Sequence, residues 1–457
     1  MTGSTTKSLN VGIVGAGVAG LTTAIALRIH GPQSHQVTVF EKYPERTPVF
    51  SGPVQLQPNA TRILTRYGVA DAIRECLPEL VSVHNIHRYS DGELFRSTPA
   101  SEVNSAYQSP VWNISRYQLS KILLERARAV GVEFKFNTAV QGVDASSTSP
   151  TVRTESGETY SYDLVIAADG AGIRSAIRAT ILGQQVQPTN PLTAYSFNVP
   201  RAALAADPDL KFLLNRSGLW IGPYCAVNQM DMPDFNDSCN FCFTIEAQGG
   251  VAGEWNTQCD MEEVQSRFAA FEPRIHKVLA LADSAPYIWK LSDIAPLETW
   301  RSENRRVVLI GDAAHAMLPY SAMGAASGIE DALCLAECLE QASSIESAID
   351  AFETIRKPRT WFIAEAGNHN MRMLNLPDGP EQQARDAAFI KSAESAAAAN
   401  PKVGAPEAAE KETTTSRQLK DFDPPPVVTG TFVPSTRAYL IDYDVYTHTT
   451  EYFKAAA

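Results

Sequence analysis

The sequence predicts an α/β protein with an inserted, mostly antiparallel β-sheet domain and a C-terminal helical extension. Three observations carry that expectation. An apolar run at Val11, Ile13 and Val14 leads through Gly15-x-Gly17-x-x-Gly20 into a helical pattern. Two further apolar runs, DLVIAAD ending at Asp169 and RVVLIGD ending at Asp312, have the continuous hydrophobicity of parallel strands buried on both faces. Between them, from about Pro191 to Pro296, segments such as CNFCFTIEA alternate with turn-rich stretches, the pattern of an antiparallel sheet with one face on a core.

Taken in order, Asn10 to Phe40 reads as strand, turn, helix and strand, with Leu21, Ala24, Ile25 and Leu27 on the apolar side of the helix and VTVF leading to Glu41. A long helical stretch is expected from about Ala325 to Leu339. Because the three strand ends lie far apart in sequence, the nucleotide domain is expected to be discontinuous, a Rossmann-like unit from 1–80, 111–182 and 297–375. The substrate domain is expected at 81–110 and 183–296, and an extension at 376–457. Ala, Glu, Lys and Thr enrichment followed by Pro424, Pro425 and Pro426 predicts a linker at about 392–427, after which Thr436 to Phe453 regains apolar residues able to dock on the body.

Composition narrows the function classes. In 457 residues, 39 Lys and Arg face 51 Asp and Glu, a net charge of −12. No Lys/Arg-rich run exists to draw the chain to a polyanion, so neither nucleic acid nor an anionic membrane surface is an expected partner. The N-terminal MTGSTTKSLN lacks the apolar core of a signal peptide, and no stretch of about 18 apolar residues reads as a membrane span. A cytoplasmic protein, monomer or homodimer, is expected. Seven cysteines fit a reducing compartment. Cys239 and Cys242 sit three apart on a strand pattern and should point to opposite faces. Cys334 and Cys338 fall on a helix as small core residues. No second Cys or His pair completes a metal site, and none is expected.

The glycines carry the chemistry. Gly15 permits a tight turn, Gly17 lets backbone approach a pyrophosphate, Gly20 allows close helix packing, and the helix N-terminus favours an anion. Glu41, about twenty residues on, would accept hydrogen bonds from an adenosine ribose, which suits FAD or NAD and disfavours a 2′-phosphate. Asp169-Gly170, with Arg174, Ser175 and Arg178 following, and Gly311-Asp312 read as loop-borne acids at the carboxyl edge of the same sheet.

With QLQPNATRIL from Gln55, Ser115-Arg116-Tyr117-Gln118-Leu119, RKPR and LPDGPEQQARD, these motifs occur in an order that resembles the class A flavoprotein monooxygenases, the salicylate-hydroxylase-like enzymes of the para-hydroxybenzoate hydroxylase fold. The resemblance implies FAD as cofactor. It implies NAD(P)H as a transient co-substrate, O2, an aromatic or electron-rich small molecule, and oxygen insertion through a flavin C4a-hydroperoxide. It assigns Glu41 to the ribose, Arg116 to the ribityl and pyrophosphate part, Asp312 to the ribityl chain and Asp169 to both FAD and the nicotinamide. It places Pro319 near the flavin C4a and the Met323 to Ala326 loop, with Gly324 and Ala325, at the pyrimidine edge. His315 in GDAAH is expected to support backbone.

The sequence also departs from that family. Ser51-Gly52-Pro53-Val54 replaces its Gly-Ala-Gly-Ile loop, leaving Val54 by the isoalloxazine and removing an N–H at Pro53. Tyr195 is followed by Ser196 where the family often carries Arg, and Gln229-Met230 stands for its Tyr-Pro pair. The expectation is a larger or more neutral aromatic substrate, with Tyr195 and Tyr224 as substrate-sheet candidates. A WxWxIP halogenase motif is absent. An FAD oxidoreductase without oxygen insertion and a non-catalytic scaffold are the rival readings.

Overall fold

A computed structural model of the chain describes residues 8–31, 34–45, 51–77, 82–170, 175–184, 190, 192–246, 257–399 and 418–456. Its first layer is a five-stranded parallel sheet in the order Val307–Leu309, Leu164–Ala167, Asn10–Val14, Gln36–Phe40, Glu133–Lys135. The apolar runs explain this placement: Val11, Ile13, Val165, Ile166 and Val308 are all fully buried, as central strands covered on both faces must be. Because the Asn10–Val14 strand is flanked by Gln36–Phe40 on one side and Leu164–Ala167 on the other, a crevice opens where the connections diverge, at the carboxyl ends of the strands.

Helix Val18–Ile29 and helix Gly324–Gln341 cover this sheet in mutual contact. Their closeness depends on small residues, since a Cβ added to Gly328 would lie 2.9 Å from the Ala19 Cβ, and one on Gly311 would lie 2.8 Å from it.

The second layer is a seven-stranded sheet in the order Tyr287–Lys290, Leu192–Pro200, Ser238–Glu246, Cys225–Met232, Arg216–Gly222, Val83–Arg88, Leu94–Pro99. Every neighbouring pair is antiparallel except Arg216–Gly222 with Val83–Arg88. Alternation decides its two faces. Phe197, Phe241 and Phe243 point to a core closed by helices Met261–Arg267 and Pro273–Ala280, where Phe243 meets Phe268 edge-on at 4.8 Å. Each such phenyl contributes about 1.5–3 kcal/mol through burial. The intervening Ser196, Asn240, Cys242 and Thr244 point the other way, into the space between the two layers. Cys239 and Cys242 do occupy opposite faces: Cys239 is fully buried, with Gln229 donating to its Sγ at 3.0 Å, and Cys242 faces the cavity.

The extension is helical. Helix Pro380–Ala399 runs through the first part of the expected linker, because Ala and Glu are strong helix formers and the composition that reads as a spacer is equally that of a helix. Residues 400–417 of that linker lie outside the described residues. Helices Pro434–Ile441 and Val445–Ala456 dock on the main core through Leu440, Ile441, Tyr443 and Val445. Among the described residues, no helix is long and apolar enough to cross a membrane.

Candidate functional site

The three glycines of the first turn prove to be needed for three different reasons. Gly15 adopts φ +106, and a Cβ there would fall 2.2 Å from the Ala168 carbonyl oxygen. A Cβ on Gly20 would lie 2.0 Å from the Gly15 oxygen, so helix and turn touch backbone to backbone. At Gly17 a Cβ would meet nothing within 4 Å, and Gly17 lines the cavity. The first and third glycines build the turn, and the second leaves room in front of it. Glu41 ties the next strand end to this turn: Ala16 N–H donates to its Oε2 at 2.9 Å and Tyr43 N–H to its Oε1 at 3.0 Å.

Across the crevice, Asp169 follows strand Leu164–Ala167 and accepts the Ser175 hydroxyl at 2.7 Å. Burial pushes its carboxyl up, and the Ser175 contact opposes that rise. Arg174 lies outside the described residues. Arg178 is buried and donates to the Ala313 carbonyl at 3.2 Å, bracing the loop that begins at Gly311. Gly311 has φ +56, and its N–H donates to Asp331 Oδ2 at 2.9 Å. His315 Nε2 lies 2.6 Å from the same oxygen, so this histidine supports the loop and does not line the cavity. The turn leaves Asp312 exposed on the cavity side.

Behind that loop stands a buried ionic network that the sequence reading does not contain. Arg356 donates to Asp331 Oδ1 at 2.8 Å and to Glu330 Oε2 at 2.7 Å, and Arg359 donates to Glu330 Oε1 at 2.7 Å. Asn59 Nδ2 completes Glu330 at 2.6 Å. The RKPR segment supplies both arginines, and its basic character looks like a solvated helix face until the paired acids on the preceding helix, Gly324–Gln341, come into view.

A cavity of about 1770 Å³ runs between the layers. Small-molecule pockets usually hold about 300–1,000 Å³, so this one has room for a dinucleotide and a second molecule together. Gly17, Glu41, Val54, Arg116, Asp169, Asp312, Pro319, Gly324 and Ala325 all line it. Gly15 and Gly20 stand behind it. Val54 lies on the short strand Pro53–Leu56, paired with Trp112–Ser115, and the Arg116 N–H donates to the Gly52 oxygen at 3.0 Å. The Arg116 side chain is exposed and forms no salt bridge among the described residues. Helix Gly324–Gln341 directs its N-terminal turn at the same space, where the free N–H groups concentrate partial positive charge.

Tyr195 and Tyr224 are not part of this cavity. Tyr195 is on the phenylalanine side of its strand, fully buried, with its hydroxyl donating to Glu263 at 2.9 Å. Tyr224 occupies the tight turn between two strands with φ +59 and is 53% exposed. Their neighbours face inward instead, Ser196 on one strand and Ala226 on the next. Tyr195→Phe should therefore leave turnover and cofactor content unchanged and lower stability by about 1 kcal/mol, the worth of one hydrogen bond, as read by denaturant unfolding. A large loss of turnover at unchanged stability would return Tyr195 to the site.

Several lining residues escape the sequence reading. Tyr320 sits beside Pro319, its hydroxyl 3.2 Å from Thr244 Oγ1 and accepting from Asn375 Nδ2 at 3.0 Å. Arg96 on strand Leu94–Pro99 and Arg437 on helix Pro434–Ile441 bring cations to the antiparallel-sheet side of the cavity. No spacing rule connects them, since each is placed by packing over hundreds of residues.

Comparison with known proteins agrees with this geometry. A family described as an FAD binding domain matches residues 8–366. The chain is 31% identical over 400 residues to the FAD-dependent monooxygenase OpS4 of Beauveria bassiana (strain ARSEF 2860), covering 85% of this chain and 90% of that one. It is 29% identical to the 3-amino-4-hydroxybenzoate 2-monooxygenase PtnB3 of Streptomyces platensis, covering 84% and 93%. Among solved structures, CtdE in complex with FAD and substrate 4 superposes with a TM-score of 0.76 at 21% identity over 98% of both chains. A salicylate hydroxylase substrate complex gives 0.69 at 23% identity, covering 86% of this chain and 95% of that one. These two likenesses show a shared fold.

Proposed function

The chain belongs to the FAD-binding-domain family and is an FAD-dependent monooxygenase, and from that premise we propose that it inserts one oxygen atom of O2 into an aromatic or electron-rich unsaturated small molecule with NAD(P)H as reductant. The observation that carries this reading is a single cavity that joins the glycine turn to the inner face of the antiparallel sheet. All seven cysteines are free thiols, which supports action in a reducing compartment such as the cytoplasm; a monomer or homodimer is part of the proposal.

The residues present fit the cofactor. Gly17 leaves open space before a helix N-terminus, Arg116 offers a guanidinium without a carboxylate partner, and Asp312 presents an exposed carboxylate on the same wall. We assign the pyrophosphate to the Gly17 turn and Arg116, the adenosine ribose to Glu41 and the ribityl hydroxyls to Asp312. Each Glu41 oxygen accepts one N–H and keeps a lone pair for a ribose hydroxyl. When bound, FAD supplies hydride acceptance and oxygen activation. The Gly324 helix end would favour negative charge at the pyrimidine edge by its dipole, worth up to about 2 kcal/mol in a partly buried setting. The inner face of the sheet and the C-terminal residues Phe432, Arg437, Leu440 and Ile441 wall the same cavity.

Asp312→Ala should lower FAD affinity roughly tenfold, the cost of one or two hydrogen bonds to a charged group, or slow flavin reduction. Flavin absorbance after gel filtration and stopped-flow reduction check this, and unchanged content and rate would count against the assignment. For the reaction, NAD(P)H consumption is followed over phenols, aromatic acids and indoles with product mass. A product heavier by one oxygen supports the proposal. Peroxide alone would point to the oxidoreductase that inserts no oxygen, and a protein that cannot be reconstituted with FAD would point to a scaffold.

A further inference from the structure

Residues 316–325 all line the cavity, so the turn Pro319–Ser321 stands between Asp312 and the Gly324 helix end, the two features assigned to the ribityl chain and the pyrimidine edge. Within the turn, the Ala322 N–H donates to the Pro319 carbonyl at 2.9 Å. The rest of its hold comes from outside, through Tyr320. Asn370 Nδ2 donates to the Tyr320 carbonyl at 2.8 Å, Asn375 Nδ2 donates to its hydroxyl at 3.0 Å, and that hydroxyl lies 3.2 Å from Thr244 Oγ1 on the sheet. Both asparagines stand at the end of helix Ile345–Leu374, Asn375 as its C-cap.

Asn370 also holds a second segment. It is fully buried, and its Nδ2 donates to Thr431 Oγ1 at 2.7 Å while its Oδ1 accepts the Thr431 N–H at 3.0 Å. A backbone N–H only donates and a carbonyl only accepts, so the amide cannot be turned over without losing the bonds to both segments. The seat is tight. A Cβ on Gly430 would fall 2.5 Å from Asn370 Oδ1 and 3.0 Å from His369 Cδ2, so the chain reaches Asn370 only because residue 430 has none. Thr431 and Phe432 then line the cavity themselves. Asn370 and Thr431 both lie beyond residue 366, where the match to the FAD binding domain ends.

Resting on the monooxygenase reading, we propose that Asn370 is a positioning residue: it ties the flavin-facing turn Pro319–Ser321 to segment 430–432, so that the turn keeps its place only while that segment is seated. Loss of the Thr431 acceptor leaves a buried N–H of Asn370 without a partner, which is costly. The amide relieves that cost only by rotating, and rotation gives up the Tyr320 carbonyl or drags the turn along.

The first arm of the test needs no cofactor. In hydrogen–deuterium exchange of the cofactor-free full chain, Thr431→Val should speed exchange in residues 318–323 roughly tenfold, the effect of a lost buried hydrogen bond on a local opening equilibrium. Thr431→Ser keeps the hydroxyl and should match wild type. Asn370→Ala should speed exchange at least as much as Thr431→Val, and Thr431→Val should add nothing in that background. Unchanged exchange in strand Leu164–Ala167 shows that a variant is folded, and if Asn370→Ala does not fold, the two Thr431 variants decide. The second arm loads FAD and reads the visible circular dichroism of the bound flavin, which should change in Thr431→Val and return to wild type in Thr431→Ser. Turn exchange that ignores Thr431→Val would overturn the proposal. So would a Thr431→Val effect that persists in full without Asn370, which would point to the packing of Phe432 and Tyr320 in one apolar cluster instead. A flavin spectrum identical in all variants would also overturn it. A wild type that binds no FAD would sink the monooxygenase reading, and the exchange arm would still decide whether segment 430–432 holds the turn.

Discussion

Gly17→Val should yield a folded protein that retains almost no FAD. The backbone at Gly17 has φ −77 and ψ −179, extended geometry that any residue adopts, so valine introduces no backbone strain. A Cβ there meets no protein atom within 4 Å, so it introduces no clash in the cofactor-free chain either. The branched side chain would instead fill the space assigned to the pyrophosphate and block approach to the backbone N–H groups of the helix start. Losing those contacts together with the close fit should weaken FAD binding by at least about a hundredfold, on the order of 3 kcal/mol. Gly20→Val is the control with the opposite signature. Its Cβ would lie 2.0 Å from a backbone oxygen, and the protein should fail to fold with or without cofactor. Flavin absorbance after dialysis and thermal unfolding of the apoprotein separate the two. If Gly17→Val holds FAD normally, the pyrophosphate is not bound at this turn.

That contrast shows what a sequence can carry. Gly15-x-Gly17-x-x-Gly20 is legible because its roles are local, set by one turn and one helix start. The three strands ending near Phe40, Asp169 and Asp312 are legible because continuous apolar runs require burial on both faces. What escapes is relational. Period-two alternation says that Tyr195 and Ser196 face opposite ways, yet nothing in either residue tells which face meets a helical core and which meets a cavity. Tyr195 packs with the phenylalanines because helices Met261–Arg267 and Pro273–Ala280 close over that side, more than sixty residues downstream. Arg96 and Arg437 are 341 positions apart and share a cavity only because the last helices fold back over the sheet edge. The stretch 392–399 shows a different failure, in which one composition serves equally as spacer and as helix, and here the backbone continues helix Pro380–Ala399.

Arg356→Met should be among the most destabilising single changes in the molecule, lowering stability by about 3–5 kcal/mol, because it leaves charges buried without their partner. Arg356 is fully buried and donates three times, to Asp331, to Glu330 and to the Ser327 carbonyl. Without it Glu330 keeps Arg359 and Asn59, whereas Asp331 keeps only His315 and the Gly311 N–H. The melting temperature should fall by roughly 6 °C or more. The pH dependence tells this mechanism from simple loss of packing. Burial alone would raise the Asp331 carboxyl, but His315 and Arg356 outweigh it and hold the group at about 2. A carboxylate with a depressed folded pKa contributes stability above its unfolded value, near 4, and that contribution is lost as pH falls toward 2. Wild type should therefore lose stability across that window. In Arg356→Met the Asp331 pKa moves up, so acid relieves the stranded charge and the gap between variant and wild type should narrow from pH 7 to pH 3. A gap that stays constant over that range would mean that Arg356 acts by its volume alone. Since Asp331 also fixes the Gly311 N–H, and through it the loop that presents Asp312, the same variant should bind FAD more weakly at temperatures where it is still folded.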